Sequence, residues 1–134
     1  MRSRVRRVAA AATTAACLGL MMPTPAQAAS GGGCTGDYPI SSCISFSGSN
    51  AIGDFYMNAT PDGSRCTALW RIESTTTGNS SWRTEALGRT GRFGPRTHPV
   101  VTMPYRNGSA VTVVEVYTCS GAFHGRYVSP RVYW

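Results

Sequence analysis

Apolar and polar residues alternate along several stretches of this chain, and a period of two is the pattern of β-strands. The clearest stretch is 66–73, where every second residue is apolar: Cys66, Ala68, Trp70 and Ile72. The residues between them are mostly polar. This stretch therefore predicts a strand with one face in a core and the other toward solvent.

Residues 109–121 are the stretch richest in β-branched residues, and Asn-Gly and Ser-Gly turn sequences lie at its two ends. Both of its faces are largely apolar, since one carries Val111 and Val113 and the other carries Val114 and Val116. Such a pattern predicts a central strand that is covered on most of both sides. We expect the rest of the chain to be organised around it.

Shorter stretches complete the predicted architecture. Further strands are predicted at 42–47, 54–59, 81–86 and 127–134, with an edge strand at 100–105. A brief helix is the alternative at 81–86. No stretch shows the helical period of 3.6 residues. The chain is therefore predicted to be all-β, a small disulfide-stabilised antiparallel β-sandwich or barrel.

Two segments are predicted to lie outside the strands. Residues 88–99 contain several glycines and two prolines, which argue against regular structure across most of the segment. Residues 123–126 are predicted to be a hairpin connection. Both segments are expected to be surface loops.

The beginning of the chain has the pattern of an export signal. Arginines at positions 2, 4, 6 and 7 precede an apolar stretch at 8–20, and Ala26-Gln27-Ala28 offers a cleavage site. We expect residues 1–28 to be removed, with residues 29–134 forming one secreted, extracellular domain. All basic residues are arginine and none is lysine, which with the alanine-rich leader suggests an actinobacterial source.

Loss of the leader changes the charge. The whole chain has 13 basic and 6 acidic residues, and removing four arginines leaves 9 − 6 = +3. This modest excess gives only weak attraction to anionic surfaces. Neither nucleic acid nor, after signal cleavage, a membrane is therefore expected as a partner.

Four cysteines remain after the leader: Cys34, Cys43, Cys66 and Cys119. An even number in an exported chain predicts two disulfides, for which three pairings are possible. We favour Cys34–Cys43, which would close a turn-rich insert, and Cys66–Cys119, which would tie two strands together. The spacing does not match the Cys-x-x-Cys pattern of zinc sites.

The sequence offers little for catalysis. His98 and His124 each lie beside glycine or proline, and no nucleophile motif accompanies them. The six carboxylates are scattered, and Glu115 on the central strand is expected to form an ion pair with Arg71 or Arg83. We therefore predict a protein that is not an enzyme and needs no metal or cofactor.

Two segments are candidates for contact with other secreted proteins. The first is the glycine-rich lead-in, Gly31, Gly32 and Gly33, expected to be flexible. The second is the predicted loop around Arg89, Arg92, Phe93 and Arg96, where arginine forks could grip an acidic surface. A solvated loop with basic residues for solubility is an equal alternative, and aromatic strand faces are a third candidate surface.

The chain resembles the small, two-disulfide, β-rich secreted proteins of streptomycetes. Within that group, the subtilisin-inhibitor family is similar in mature length, leader and number of cysteines, which implies inhibition of a serine protease as one function. That family carries a Cys-Pro-Met-like segment beside a disulfide, whereas Cys66 is followed here by Thr-Ala-Leu. Residues 103–106 would be the alternative exposed loop.

The chain also resembles the adaptor subunit of umbrella toxin particles. The segments that look compatible with it are 30–34, 54–58 and 119–121. In those particles a compact secreted β protein links a repeat-containing toxin to lectin-like tips, partly through its N-terminal segment. The resemblance implies a non-enzymatic adaptor within an extracellular antibacterial toxin complex, and we favour this function over the serine-protease inhibitor.

Overall fold

The alternating stretches form antiparallel strands in the computed structural model, which describes residues 30–100 and 107–134. Eleven strands lie within these ranges. In chain order they are β1 (Ser30–Gly31), β2 (Gly33–Cys34), β3 (Ile40–Ser47), β4 (Asn50–Met57), β5 (Thr67–Ser74), β6 (Gly78–Asn79), β7 (Arg83–Ala86), β8 (Gly91–Pro99), β9 (Ser109–Tyr117), β10 (Phe123–Val128) and β11 (Val132–Tyr133).

The described strands form two antiparallel sheets, arranged as a sandwich. The larger sheet has the order β1-β11-β9-β5-β6, with β10 also paired to β9 and β7 also paired to β5. The smaller sheet has the order β2-β3-β4-β8. The predicted all-β, disulfide-stabilised fold is confirmed, and of the two expected architectures the sandwich is the one observed.

Strand β9 is central, as its sequence predicts. It is hydrogen-bonded to β5 on one side and to β10 and β11 on the other. Val114 and Val116 lie in the core beside Trp70, and Val113 on the opposite face is also fully buried. Val113 lies in register between Arg71 and Val128, so side chains of the neighbouring strands surround it.

The other clear predictions also hold. β3 and β4 form a hairpin, and the alternation in β4 buries Phe55 and Met57. β5 buries Ala68, Trp70 and Ile72, the face that its period of two predicts. The exposed strand expected at 81–86 is β7.

The prediction of a loop at 88–99 is wrong for most of that segment. Residues 91–99 form β8, which pairs with β4 across a β-bulge between Gly53 and Phe55. Pro95 and Pro99 are compatible with this strand because β8 lies at the edge of its sheet, where one side needs no hydrogen-bond donor. Phe93 is 3% exposed, and burial of its ring favours the strand. The glycines and prolines around it gave no local sign of this strand.

The predicted hairpin connection at 123–126 is also wrong, because these residues belong to β10. The predicted last strand, 127–134, is divided between β10 and β11. At the break, the Ser129 N–H donates to the Thr112 carbonyl and the Thr112 N–H donates to Ser129 Oγ. Val128 is consequently exposed while Val132 is buried, so the two do not share a face.

Both predicted disulfides are present. Cys34 lies directly opposite Cys43 in the β2–β3 pair, and the Cys34–Cys43 bond joins these strands. The Cys66–Cys119 bond joins residues just before β5 and just after β9, 53 positions apart in the sequence. Two disulfides are typical of proteins that fold in an oxidising, extracellular environment.

The glycine-rich lead-in is a bridge between the sheets and not a free arm. Ser30 and Gly31 pair with β11, and Gly33 and Cys34 pair with β3. Gly32 between them has a φ of +81°, and a Cβ there would lie 2.8 Å from the Ile44 carbonyl oxygen. Only glycine fits this crossing.

Some predictions lie outside the described residues. These are the signal peptide at 1–28 with Cys17, and the edge strand at 100–105 beyond Val100. The alternative inhibitory loop at 103–106 lies there too. Val100 itself is buried.

Candidate binding surface

The solvent side of the larger sheet carries a mixture of aromatic, aliphatic and charged side chains. Because Ala68, Trp70 and Ile72 point into the core, the residues between them on β5 point outward. We call this surface the outer face. Its members on three neighbouring strands are Thr67, Leu69, Arg71 and Glu73 on β5, Val111, Val113, Glu115 and Tyr117 on β9, and Phe123, Arg126 and Val128 on β10.

Strand register arranges these side chains in rows across the sheet. The rows are Thr67–Tyr117–Phe123, Leu69–Glu115–Arg126 and Arg71–Val113–Val128. Directly opposite residues in antiparallel strands have neighbouring side chains. The charged Glu115–Arg126 pair is therefore flanked by an aromatic row on one side and a valine row on the other.

Large apolar groups on or beside the outer face reach solvent. Phe123 is 60% exposed, Val128 41%, and Trp82, just before β7, 40%. The Phe123 ring packs edge-on against Tyr117, with centroids 5.8 Å apart. The Arg71 guanidinium lies 4.3 Å from the centroid of the Trp82 ring. These contacts fix exposed aromatic rings, which lowers the entropy cost of using them in binding.

Ion pairs connect the three strands of the outer face. Arg71 pairs with Glu73 at 2.6 Å, and Arg126 lies 3.4 Å from Glu115 and 3.8 Å from Glu73. The partners expected for Glu115 were wrong, because Arg71 is bound to Glu73 and Arg83 pairs with Glu85. Cross-strand register decides this, since Arg126 is directly opposite Glu115.

Tyr117 lies on the outer face, and its hydroxyl has an altered ionisation. Its hydroxyl donates a hydrogen bond to Glu115 Oε2 at 3.1 Å. This bond, together with desolvation and the carboxylate's charge, raises the pKa of Tyr117 above its ordinary value of 10.0. The phenol is therefore neutral at physiological pH and remains a hydrogen-bond donor.

The structure separates the residues predicted to form a basic contact loop. Arg92 projects from β8 and pairs with Asp54, while Arg89 lies with its guanidinium 4.1 Å from the centroid of the Phe93 ring. Phe93 itself is buried and stacks on Phe55, with centroids 4.9 Å apart. The interpretation of Phe93 as an exposed contact residue is thus wrong, because the ring belongs to the core.

Arg96 and its neighbour His98 hold the two sheets together at one edge. Arg96 donates to the Ser81 carbonyl at 2.6 Å and to Ser81 Oγ at 2.8 Å. His98 Nε2 lies 3.1 Å from the Gly78 carbonyl. Strand β8 belongs to the smaller sheet, whereas Ser81 and Gly78 lie in the region of β6 and β7 in the larger sheet. The hydrogen bonds of Arg96 therefore join the two sheets, and its guanidinium is engaged within the protein.

Most carboxylates are likewise used in ion pairs. Five of the six acidic residues lie within 4 Å of an arginine, the pairs being Asp54–Arg92, Asp62–Arg65, Glu73–Arg71, Glu85–Arg83 and Glu115–Arg126. Ser64 hydrogen bonds, more than Arg65, lower the pKa of Asp62 in its exposed turn. Ser64 and Arg65 stabilise the charged form of the Asp62 carboxylate rather than its protonated form.

In 30–100 and 107–134, no group of three or more His, Cys, Asp or Glu side chains is placed to hold a metal ion. The same ranges contain no helix long and apolar enough to cross a membrane.

Sequence reasoning missed Phe123, Arg126 and Val128, although a signal was present. Thr118 and Ala122 close a tight turn through a backbone hydrogen bond of 2.8 Å. Ser120-Gly121 is a turn signal at the end of the central strand. This turn holds the three residues 119–121, and a three-residue turn with glycine after such a strand favours an immediate return strand starting near residue 123.

Comparisons with protein-family models, with curated proteins and with solved structures gave no match to this chain.

Proposed function

We propose that this protein is a secreted, non-enzymatic protein-binding module whose outer face contacts another extracellular protein. The observation that carries the proposal is the grouping of exposed Trp82, Phe123 and Val128 around an arginine–glutamate network on one sheet. Tryptophan, tyrosine and arginine are the residues most enriched where binding energy is concentrated. The two disulfides support an extracellular location.

The geometry favours a protein partner for two reasons. The outer face lies on regular strands, so its aromatic rings are held in place rather than carried on a mobile loop. Its charges alternate in sign, and Arg71 and Arg126 still expose part of their side chains, 25% and 48% respectively. Charged groups around an apolar centre give orientation and partner selectivity more than raw affinity.

Within this function, we propose the adaptor role in an extracellular toxin complex that the resemblance implies. Residues 30–34 are paired inside the domain, so we assign the main contact to the outer face rather than to this segment. The contact roles first suggested for Gly31, Gly32, Gly33, Arg89, Arg92 and Arg96 stay predictions. Arg92 and Arg89 would need to act while engaged with Asp54 and Phe93.

Affinity capture from culture medium tests the proposal. The tagged chain is compared with a Trp82→Ala/Phe123→Ala variant, and captured proteins are identified by mass spectrometry. Tyr38→Ala is the matched control, because Tyr38 is 72% exposed but lies outside the outer face. We expect the double variant to lose the partner and the control to keep it.

Other outcomes would contradict the proposal. Capture of no partner by the unaltered chain, or equal capture by the double variant, would show that the outer face is not the contact surface. Stoichiometric loss of serine-protease activity on mixing with the chain would favour the inhibitor instead.

A further inference from the structure

Strand β10 has one open side. Among the described residues it pairs only with β9, while the adjoining β11 is covered by β1. The lead-in follows β11 as far as Gly32, whose N–H donates to the Arg131 carbonyl at 2.9 Å. It then crosses to β3, so no described strand pairs with the outer edge of β10.

Backbone groups at this edge point in known directions. The Ser129 N–H donates to the Thr112 carbonyl, so the groups of Ser129 point toward β9. Backbone direction alternates along an antiparallel strand. The N–H and C=O groups of Arg126 and Val128 therefore point to the open side, and those of Tyr127 point to β9.

The other long edge is protected. β8 carries Pro95 and Pro99, and Arg96 and His98 bond across to the larger sheet. Prolines and such cover are the usual means by which proteins prevent a sheet edge from pairing with another chain. β10 contains no proline and carries exposed Phe123 and Val128.

We propose that the open edge of β10 binds an extended segment of a partner protein by strand addition. The proposal rests on the protein-binding function above and names how the partner is held. Free backbone donors and acceptors select an extended polypeptide, because a new strand satisfies them at regular intervals. Side chains on the added strand that face the outer face would be two residues apart.

Charge and hydrophobicity define the partner segment further. The outer face with adjoining Arg131 has three arginines against two glutamates, 3 − 2 = +1. Arg126 is 48% exposed, and its five N–H donors exceed what Glu115 and Glu73 use. The residue opposite Val128 should be apolar and the one opposite Arg126 acidic. The segment therefore carries an apolar-x-acidic pattern.

The experiment selects a probe and then locates it. A phage-displayed library of random peptides about twelve residues long is selected against the disulfide-bonded chain, and an enriched peptide is synthesised. We expect enriched peptides to share the apolar-x-acidic pattern. Binding should slow amide exchange of Arg126 and Val128 by about tenfold or more, whereas the Tyr127 amide should already be protected in the free protein.

Two variants isolate the backbone contribution. Val128→Pro removes one outward N–H at an edge position that tolerates proline, and should weaken peptide binding about tenfold, or about 1.4 kcal/mol. Val128→Thr keeps the N–H and the β-branched shape and should bind within about twofold. Should Val128→Pro fail to fold, Arg126→Glu replaces it and should reject acidic peptides.

Several results would overturn strand addition. These are the absence of any enriched peptide, protection of amides elsewhere, or equal binding by Val128→Pro. Dimerisation that Val128→Pro abolishes would show that a second copy occupies the edge instead. Partner capture that is lost in the Trp82→Ala/Phe123→Ala variant but kept in Val128→Pro would overturn strand addition alone and leave the proposed function standing.

Discussion

Replacing Phe93 by alanine should destabilise the whole domain, whereas replacing Phe123 should leave its stability nearly unchanged. Phe93 is 3% exposed and Phe123 is 60% exposed, so the same substitution samples the core and the surface. The Phe93 ring stacks on Phe55 at a centroid distance of 4.9 Å and an interplanar angle of 6°. Arg89 covers its other side at 4.1 Å.

The expected size follows from these contacts. Truncating a buried phenylalanine to alanine costs about 3–5 kcal/mol, through lost transfer energy and the cavity left behind. Loss of the aromatic pair with Phe55 places Phe93 well within this range. In a domain near 100 residues, each kcal/mol shifts the melting temperature by about 4–8 °C. Phe93→Ala should therefore lower it by at least about 10 °C, and Phe123→Ala by less than about 3 °C.

Thermal unfolding followed by circular dichroism measures these melting temperatures, and urea unfolding provides a second measure of stability. Partner capture by the two folded variants adds an independent readout, because only Phe123→Ala should weaken it. A melting temperature for Phe93→Ala within about 3 °C of the unaltered chain would refute the burial of this ring. The prediction that Phe93 is an exposed contact residue on a loop would then stand.

Two further substitutions test how the sheets are joined. Gly32→Ala should destabilise the domain by about 1–3 kcal/mol, because a Cβ would press on a neighbouring carbonyl at a positive φ. Gly33→Ala is its control in chemical denaturation, since it shares the positive φ but meets no atom within 4 Å. Arg96→Ala should cost about 1–3 kcal/mol by removing two hydrogen bonds between the sheets. Arg83→Ala, which breaks the more exposed ion pair with Glu85, should cost at most about 1 kcal/mol in the same assay.

Each of these comparisons has an outcome that contradicts it. Equal denaturation midpoints for Gly32→Ala and Gly33→Ala would mean that the lead-in is not held against β3. A larger effect of Arg83→Ala than of Arg96→Ala would mean that the edge contact to Ser81 does not join the sheets.

The sequence by itself determined the strands whose pattern is local. β5 and β9 were predicted because a period of two and a run of β-branched residues specify a pleated, half-buried or buried strand without reference to any neighbour. The two disulfides were also predictable, since few pairings were possible and each favoured one spanned a plausible turn or strand pair.

The tertiary structure alone decided the edges. β8 has the composition of a loop, and it becomes a strand because β4 supplies hydrogen bonds on one side while the core accepts Phe93. The glycine lead-in has the composition of a flexible linker, yet it pairs with both sheets because glycine permits the crossing at Gly32. Local propensity is silent on both, because their stability comes from partners distant in the sequence.

The candidate surface, too, was set partly by local sequence and partly by tertiary structure. Phe123, Arg126 and Val128 meet Tyr117, Glu115 and Val113 only through the register of β10 against β9, which a bulge shifts between Phe123 and Gly125. A shift of one residue in register would turn every one of these side chains to the other face. The sequence supplied the residue types, and cross-strand pairing determined which of them share the outer face.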